Sequence, residues 1–449
     1  MKVRVFHQKL GFFSPLPEGE GISLKWSQLF YFWIIFFVVL ASSSCRPDTP
    51  SNKTVGDDAA FLNELQHRCF RFFGEAANPE NGLISDRARA DGRQSFPVSS
   101  IASIGFGLTA ICIGDERGWI KSQEAIQRIL ITLRYLLNDL PHGHGFYYHF
   151  IDMETGQRVD DCELSSIDTA LLMAGVLTVR QYYKGTEIER LATQLYERID
   201  WRWMLADGTT LSMGWKPESG FLHSRWDGFS EHMIIYLMAL GSSTHPLPPE
   251  IWYAWKREPI ITYGGRTFLQ VPPLFVHQYS HAWVDFRNRR DAYTDYWENS
   301  VQATLAHREF SMDLSDTFPL YSEKLWGITA SDGPDGYKAW GGPPATTNPP
   351  IDGTVVPCAA AGSIPFVPQK AIEVLLRYMY EEFGGRIWEK YGFIDAFNPH
   401  TGWVNKDVIG IDVGITLLMI ENYRSGFVWK FFMQNPEIQH AMKIAGFLS

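Results

Sequence analysis

The chain changes character abruptly at Ser165-Ser166-Ile167-Asp168. Upstream, GHGFYYHFIDMETGQRVDDCE is rich in glycine, rings and charge, with His142, His144 and His149 followed by Asp152, Asp160, Asp161 and Glu163. Downstream, Ala170, Leu171, Leu172, Ala174, Gly175 and Leu177 are small or apolar on every side of a helix, the signature of a buried one. A carboxylate where a loop meets such a helix is unfavourable unless it is hydrogen-bonded or used. Ser165 with Asp168 three residues on also fits a capping box, and Asp168 taken alone is equally well a cap.

The same junction recurs twice. In FLHSRWDGFSEHMIIYLMALGSSTHPLP (221–248), Ser230 is placed to cap a helix with Glu231 in its first turn, apolar through Met233, Ile234, Ile235, Leu237 and Leu240. A carboxylate there is favoured by the helix dipole by roughly 0.3–1 kcal/mol. Trp226, Asp227 and His232 crowd the same turn, as in a sugar site. QYSHAWVDFRNRR (278–290) brings Tyr279, His281, Trp283, Asp285 and Arg287, either an ion-paired helix start or a stacking ring among hydrogen-bonding groups.

Helical periodicity predicts further helices at Asp57–Phe73, Ser99–Gly114, Ser122–Leu140, Ser165–Tyr183, Glu187–Met204, Ser230–Leu240, Pro249–Lys256, Arg287–His307, Pro368–Phe383 and Asp407–Tyr423, then two short ones. Strand-like segments are few and short. GFYYHFIDMETG (145–156) and GFIDAFNPHTG (392–402) repeat one loop plan: Gly-aromatic, then Asp, then Thr-Gly. About a dozen helices without a linker suit one all-α domain over 57–449, a closed ring of helical hairpins.

Before that domain, LFYFWIIFFVVL (29–40) precedes ASSSC, which looks like a bacterial lipoprotein signal with Cys45 as the acylated residue, the alternative being an ordinary signal peptide or a short membrane anchor. Ser42 stands where such signals carry Leu. Residues 1–45 are thus expected to be an address and 46–56 a polar tether to a membrane, giving a lipid-anchored, periplasmic or outer-membrane monomer. A net charge of −10 argues against nucleic acid as a partner. The five cysteines show no C-x-x-C spacing and the histidines no ligand spacing, so neither a metal nor another cofactor is expected.

Six segments resemble the bacterial glucoamylase-like domain family: ELSSIDTALLMAG, GFSEHMIIYLMALGSSTHPLP, QYSHAWVDFR, WGITASDGPDGY, YGFIDAFNP and GIDVGITLLMIENYRSG, in the family's order over residues 57–448. That family includes endo-β-1,2-glucanases of glycoside hydrolase family 144 and a domain of cyclic β-1,2-glucan synthases. The resemblance implies an (α/α)6 barrel and inverting hydrolysis of a glucan, with β-1,2-glucan the leading candidate. It also implies that Glu163, Asp168 and Glu231 lie at the sugar-binding end.

Glycosidic cleavage needs one protonated carboxyl and one carboxylate. Glu231 is assigned as general acid, Asp168 as base or water-positioner, and Glu163 as a neighbour that tunes Asp168 or holds a hydroxyl. Asp86, Arg87, His149, Trp226, Tyr279, His281, Trp283 and Asp285 are expected to contact substrate. Asp395 and Asp412 are held in reserve. Two other classes compete: a non-catalytic glycan-binding lipoprotein, which needs no paired acids, and a polysaccharide lyase on an α/α toroid. A lyase would use Tyr279 or His281 as base, but acidic junctions would repel its uronate.

Overall fold

The computed structural model describes residues 55–344 and 350–447; Cys45 and the tether up to residue 54 lie outside the described residues. Among the described residues fifteen α-helices follow in order: α1 Val55–Glu75, α2 Ile101–Glu116, α3 Ser122–Asn138, α4 Ser166–Tyr182, α5 Glu187–Glu197, α6 Met233–Gly241, α7 Ile251–Ala254, α8 Tyr279–Trp283, α9 Tyr296–Asp313, α10 Pro357–Ala361, α11 Pro368–Ile372, α12 Glu381–Ile387, α13 Gly410–Ser425, α14 Phe427–Phe432 and α15 Pro436–Ile444. Glu373–Tyr380, between α11 and α12, is a π-helix.

Two kinds of helix alternate, and the distinction is written in their residues. Along α2, Ile101–Gly114 is buried at every position, and α6, α8 and α10 are buried throughout. In α4 and α13 almost every residue is buried as well. A helix that is apolar all round must be surrounded. By contrast α3 buries one stripe (Ala125, Ile129, Leu130, Thr132, Leu133, Leu136) and α5 another (Ile188, Leu191, Ala192, Leu195, Tyr196), each with a polar face outward. These amphipathic helices pack on the buried ones: α1 on α2 and α13, α3 on α2, α5 on α4.

The tightest seam joins α2 to α4 through two glycines. A Cβ on Gly105 would stand 2.1 Å from the Leu171 carbonyl oxygen, and one on Gly175 2.2 Å from the Gly105 oxygen. The two backbones therefore touch, and only residues without a side chain fit.

Strands are two to four residues long and serve as stitches at helix starts. Val98–Ser100 pairs with Phe150–Asp152, Leu164–Ser165 with Gly214–Trp215, and Arg87–Arg89 with Asp407–Ile409, all antiparallel. The repeated loops share an Asx turn. Asp152 Oδ1 accepts from the Glu154 and Thr155 amides at 3.1 and 2.8 Å, and Asn398 Oδ1 from His400 and Thr401 at 3.0 and 3.1 Å.

Several expected boundaries move. The helix expected from Arg287 begins only at Tyr296, where the Asp295 side chain accepts from the Glu298 amide at 2.9 Å. The helix expected to run to Met204 ends at Glu197, and Trp203–Leu205 is a separate 3-10 turn. Glu231 is not in the first turn of a Ser230-capped helix: α6 starts at Met233, with Glu231 in the turn before it.

Candidate active site

Glu163, Asp168 and Glu231 stand where α4 and α6 begin. His149 is fixed by the backbone on both sides: its amide donates to the Glu163 carbonyl at 2.9 Å and its carbonyl accepts from the first amide of α2 at 3.2 Å. Its ring lies on Phe150, centroids 3.9 Å apart. From there Nδ1 reaches Glu163 Oε1 at 3.1 Å and Nε2 lies 3.6 Å from Asp168 Oδ2. The Glu163 side chain has room because residue 214 is glycine, whose absent Cβ would sit 2.6 Å from Glu163 Cγ.

Asp168 takes part in the N-cap of α4. Its amide donates to Ser165 Oγ at 3.2 Å, closing the N-cap of α4, while the Ser165 hydroxyl donates to Asp168 Oδ2 at 2.6 Å. The carboxylate is thus held by a hydroxyl and a histidine, with the positive end of α4 behind it.

Electrostatics separates His149, Glu163 and Glu231. Burial opposes a charge on His149, but Asp168 and Glu163 outweigh it and hold its pKa up at about 9. Burial also works against an ionised Glu163; the hydrogen bond and charge of His149 prevail and hold it at about 2. Glu231 is shifted the other way. Burial raises its pKa, and the Asp168 charge adds to this, against the opposing hydrogen bond from the Ser230 hydroxyl. The Glu231 carbonyl accepts from Ser280 Oγ at 2.5 Å, and that oxygen accepts from the Ile234 amide at 3.1 Å, tying the starts of α6 and α8 together.

A second acidic group lies at the start of α13. Arg87 bridges Asp86 at 3.3 Å and Asp332 at 2.9 Å. Asp395 Oδ2 accepts from the Asp332 amide at 2.8 Å, and Asn405 donates to both Asp332 and Asp395 at 3.0 Å. Burial raises Asp395 far above the ordinary range, and Asp412 beside it raises it further; Asp412 itself is lifted, chiefly by burial, to about 6. These two share a small cavity with Cys358, at the start of α10. The Asp86 charge also reaches His149, which links the two groups electrostatically. Arg87 and Asp332 lie 245 residues apart in sequence, and no local pattern announces them as a pair.

Five expected substrate contacts need correction. Trp283 is fully buried and its indole N–H donates to Thr109 Oγ1 at 3.0 Å. His281 is equally buried between Phe286, Trp297 and Phe366, its Nε2 3.0 Å from Ser300 Oγ, and burial lowers its pKa to about 3. Asp285 is occupied by Arg287, at 2.8 Å. All three follow the start of α8 toward the C-terminal end of α13, where Asn422 donates to the Ala282 carbonyl. Trp226 is 6% exposed; its indole donates to Ser166 Oγ at 2.9 Å, so it braces α4 and offers no stacking face. Tyr279 is buried as well, 5% exposed, its ring packed against Phe106 and Phe275.

One ligand atom each from His149, Glu163 and Asp168 lies within 4.8 Å of the others, a spacing that also suits a divalent cation. The imidazolium of His149 neutralises the same two carboxylates without one.

Residues 223–436 match the model of the Glycoamylase family, described as "putative glucoamylase". The chain is similar to a solved "putative glucoamylase" from Bacteroides fragilis NCTC 9343, at 31% identity and TM-score 0.80, covering 89% of this chain and 99% of that one. An endo-β-1,2-glucanase from Chitinophaga pinensis, solved with sophorotriose and glucose, is similar at 29% identity and TM-score 0.81, covering 87% and 99%. The curated "exo beta-1,2-glucooligosaccharide sophorohydrolase (non-reducing end)" of Parabacteroides distasonis is 30% identical over 425 residues, 86% of this chain. The chain spans 58% of that relative's length. This protein belongs to the glucoamylase-like family.

Proposed function

We propose that the protein hydrolyses β-1,2-linked glucan or its oligosaccharides by inverting acid–base catalysis. One observation carries the assignment: Glu231 is biased toward its protonated form while Asp168, whose charge contributes to that bias, is hydrogen-bonded and ion-paired as a carboxylate. Glycosidic hydrolysis uses one carboxyl as acid and a second as base, and Glu231 and Asp168 are cast in those two roles. Glu231 gives its proton to the glycosidic oxygen as the C1–O bond breaks. Water attacks C1 and yields a proton to Asp168, and solvent exchange restores both groups. His149, itself held by Glu163, orients Asp168.

The helices are proposed to close as an (α/α)6 ring, all inner helices starting at the catalytic end. Supporting this, each inner helix is joined to the next. Gly105 and Gly175 join α2 to α4, Trp226–Ser166 links α4 to the approach of α6, and Ser280 ties α6 to α8. Gln278 donates to the Ala359 carbonyl at 2.9 Å, binding α8 to α10, which shares the Asp412 cavity with α13. Strand 407–409, paired with 87–89, leads back toward α2. The β-1,2 linkage is favoured by the names of the Chitinophaga and Parabacteroides relatives.

Purified protein incubated with a panel of linkage-defined glucans tests the proposal. Reducing sugar should appear with β-1,2-glucan, sophorose alone marking exo action and a ladder marking endo action. The first anomer seen by NMR should be α from a β-linked substrate. Ultraviolet-absorbing products, or binding without cleavage, would replace this reading with the lyase or the binding protein.

A further inference from the structure

A short hairpin overhangs the second acidic group. Ala330–Gly333 pairs with Gly336–Ala339, and Asp332 stands directly opposite Tyr337. Opposed residues of an antiparallel pair project from the same face. Asp332 is pinned on that face by Arg87 at 2.9 Å and Asn405 at 3.0 Å, and its amide by Asp395 at 2.8 Å. Tyr337 therefore leans over the Asp86–Asp395–Asp412 surface. Yet 46% of it is exposed, in contrast to Trp226 and Trp283, which are packed away. Just past the hairpin, Trp340 anchors its second strand by donating its indole N–H to Ser331 Oγ at 2.9 Å.

We infer that Tyr337 is a substrate-contacting residue, its open ring forming one wall of a sugar subsite whose opposite wall is the acidic floor around Asp412. The inference rests on the hydrolase reading and extends it to a residue outside the acid–base set. A pyranose offers C–H bonds to a ring face and hydroxyls to carboxylates, so a ring above hydrogen-bond acceptors matches both. The surroundings agree: the protein around the Tyr337 hydroxyl, with the charges of Asp412, Asp395 and Asp86, keeps it protonated as a donor.

The test is calorimetric titration of a short β-1,2-linked gluco-oligosaccharide into Glu231→Gln protein, with and without Tyr337→Ala or Tyr337→Phe. Tyr337→Ala should weaken binding roughly tenfold, the scale of one lost aromatic contact with its buried area, with melting temperature unchanged. Tyr337→Phe should recover most of it if the ring carries the contact and little if the hydroxyl does; either supports contact. Unchanged affinity in Tyr337→Ala overturns the inference while leaving the hydrolase reading intact, provided the parent protein releases reducing sugar. A parent that cleaves no glucan defeats the hydrolase reading, and the titration then judges Tyr337 alone. A parent that also binds none of the panel overturns both.

Discussion

His149 Nδ1 lies 3.1 Å from Glu163 Oε1, and this pair sets the charge of the site. His149 titrates at about 9 against an ordinary 6.5, so its stabilising contribution is complete below about 6.5 and is lost as pH rises through about 9. Glu163, held at about 2 against an ordinary 4.5, contributes fully above about 4.5 and loses that contribution as pH falls through about 2. The melting-temperature gap between parent and His149→Phe should therefore be widest between pH 4.5 and 6.5 and narrow by pH 10. By NMR, Glu163→Gln should lower the His149 pKa. A His149 titration that ignores Glu163 would mean that the two do not interact.

Glu231→Gln and Asp168→Asn separate chemistry from capping. Each amide keeps an oxygen able to accept the local hydroxyl, and even a lost cap costs only about 0.5–2 kcal/mol. Neither amide can transfer the proton, a contribution of roughly 10²–10⁴-fold. Turnover should drop at least about a hundredfold while the melting temperature moves by a few degrees. Near-normal turnover in both would redirect the search to Asp395 and Asp412.

Trp283→Ala should behave as a core truncation. A buried Trp replaced by Ala costs about 3–5 kcal/mol and leaves a cavity. Thermal unfolding should shift strongly, with substrate affinity of the remaining folded protein unchanged. Weakened binding without destabilisation would return Trp283 to the site.

Much of this site was legible because its carboxylates belong to local junctions. Ser165 and Asp168 are three residues apart, and a polar loop running into an all-apolar helix marks both α4 and α6. The errors at Trp283 and His281 arise from a helix of five residues, buried on every side, whose sequence carries no phase to say which residues face the site. Asp295 and Glu298 did carry the true start of α9, but no glycine or proline after Arg287 interrupts the pattern before them. The Arg87–Asp332–Asn405–Asp395 network is assembled by chain reversals, and sequence spacing is silent about it.

Outside the described residues, Cys45 is proposed to carry the lipid anchor. Cys45→Ser should abolish metabolic labelling by fatty acid and leave hydrolysis by the solubilised protein unchanged. Lipid still attached to the variant would remove the anchor assignment.

Gly105→Ala tests the seam between α2 and α4. Alanine improves helix propensity by about 1 kcal/mol, but its Cβ meets a backbone oxygen that no rotamer change can move. Overpacking of this kind costs typically about 1–3 kcal/mol, occasionally more, so destabilisation should outweigh the gain. A melting temperature raised by the substitution would show that the helices can slide apart.

That backbone-to-backbone contact has a mechanical consequence. With no layer of side chains between them, α2 and α4 have nothing to repack, so they form a single stiff beam behind Asp168. Any compliance around the proposed site is then left to parts outside the beam, among them the 145–156 loop and the hairpin bearing Tyr337. Divergence in chain-length preference within such a scaffold would come from exchanging these fittings, with the frame unaltered.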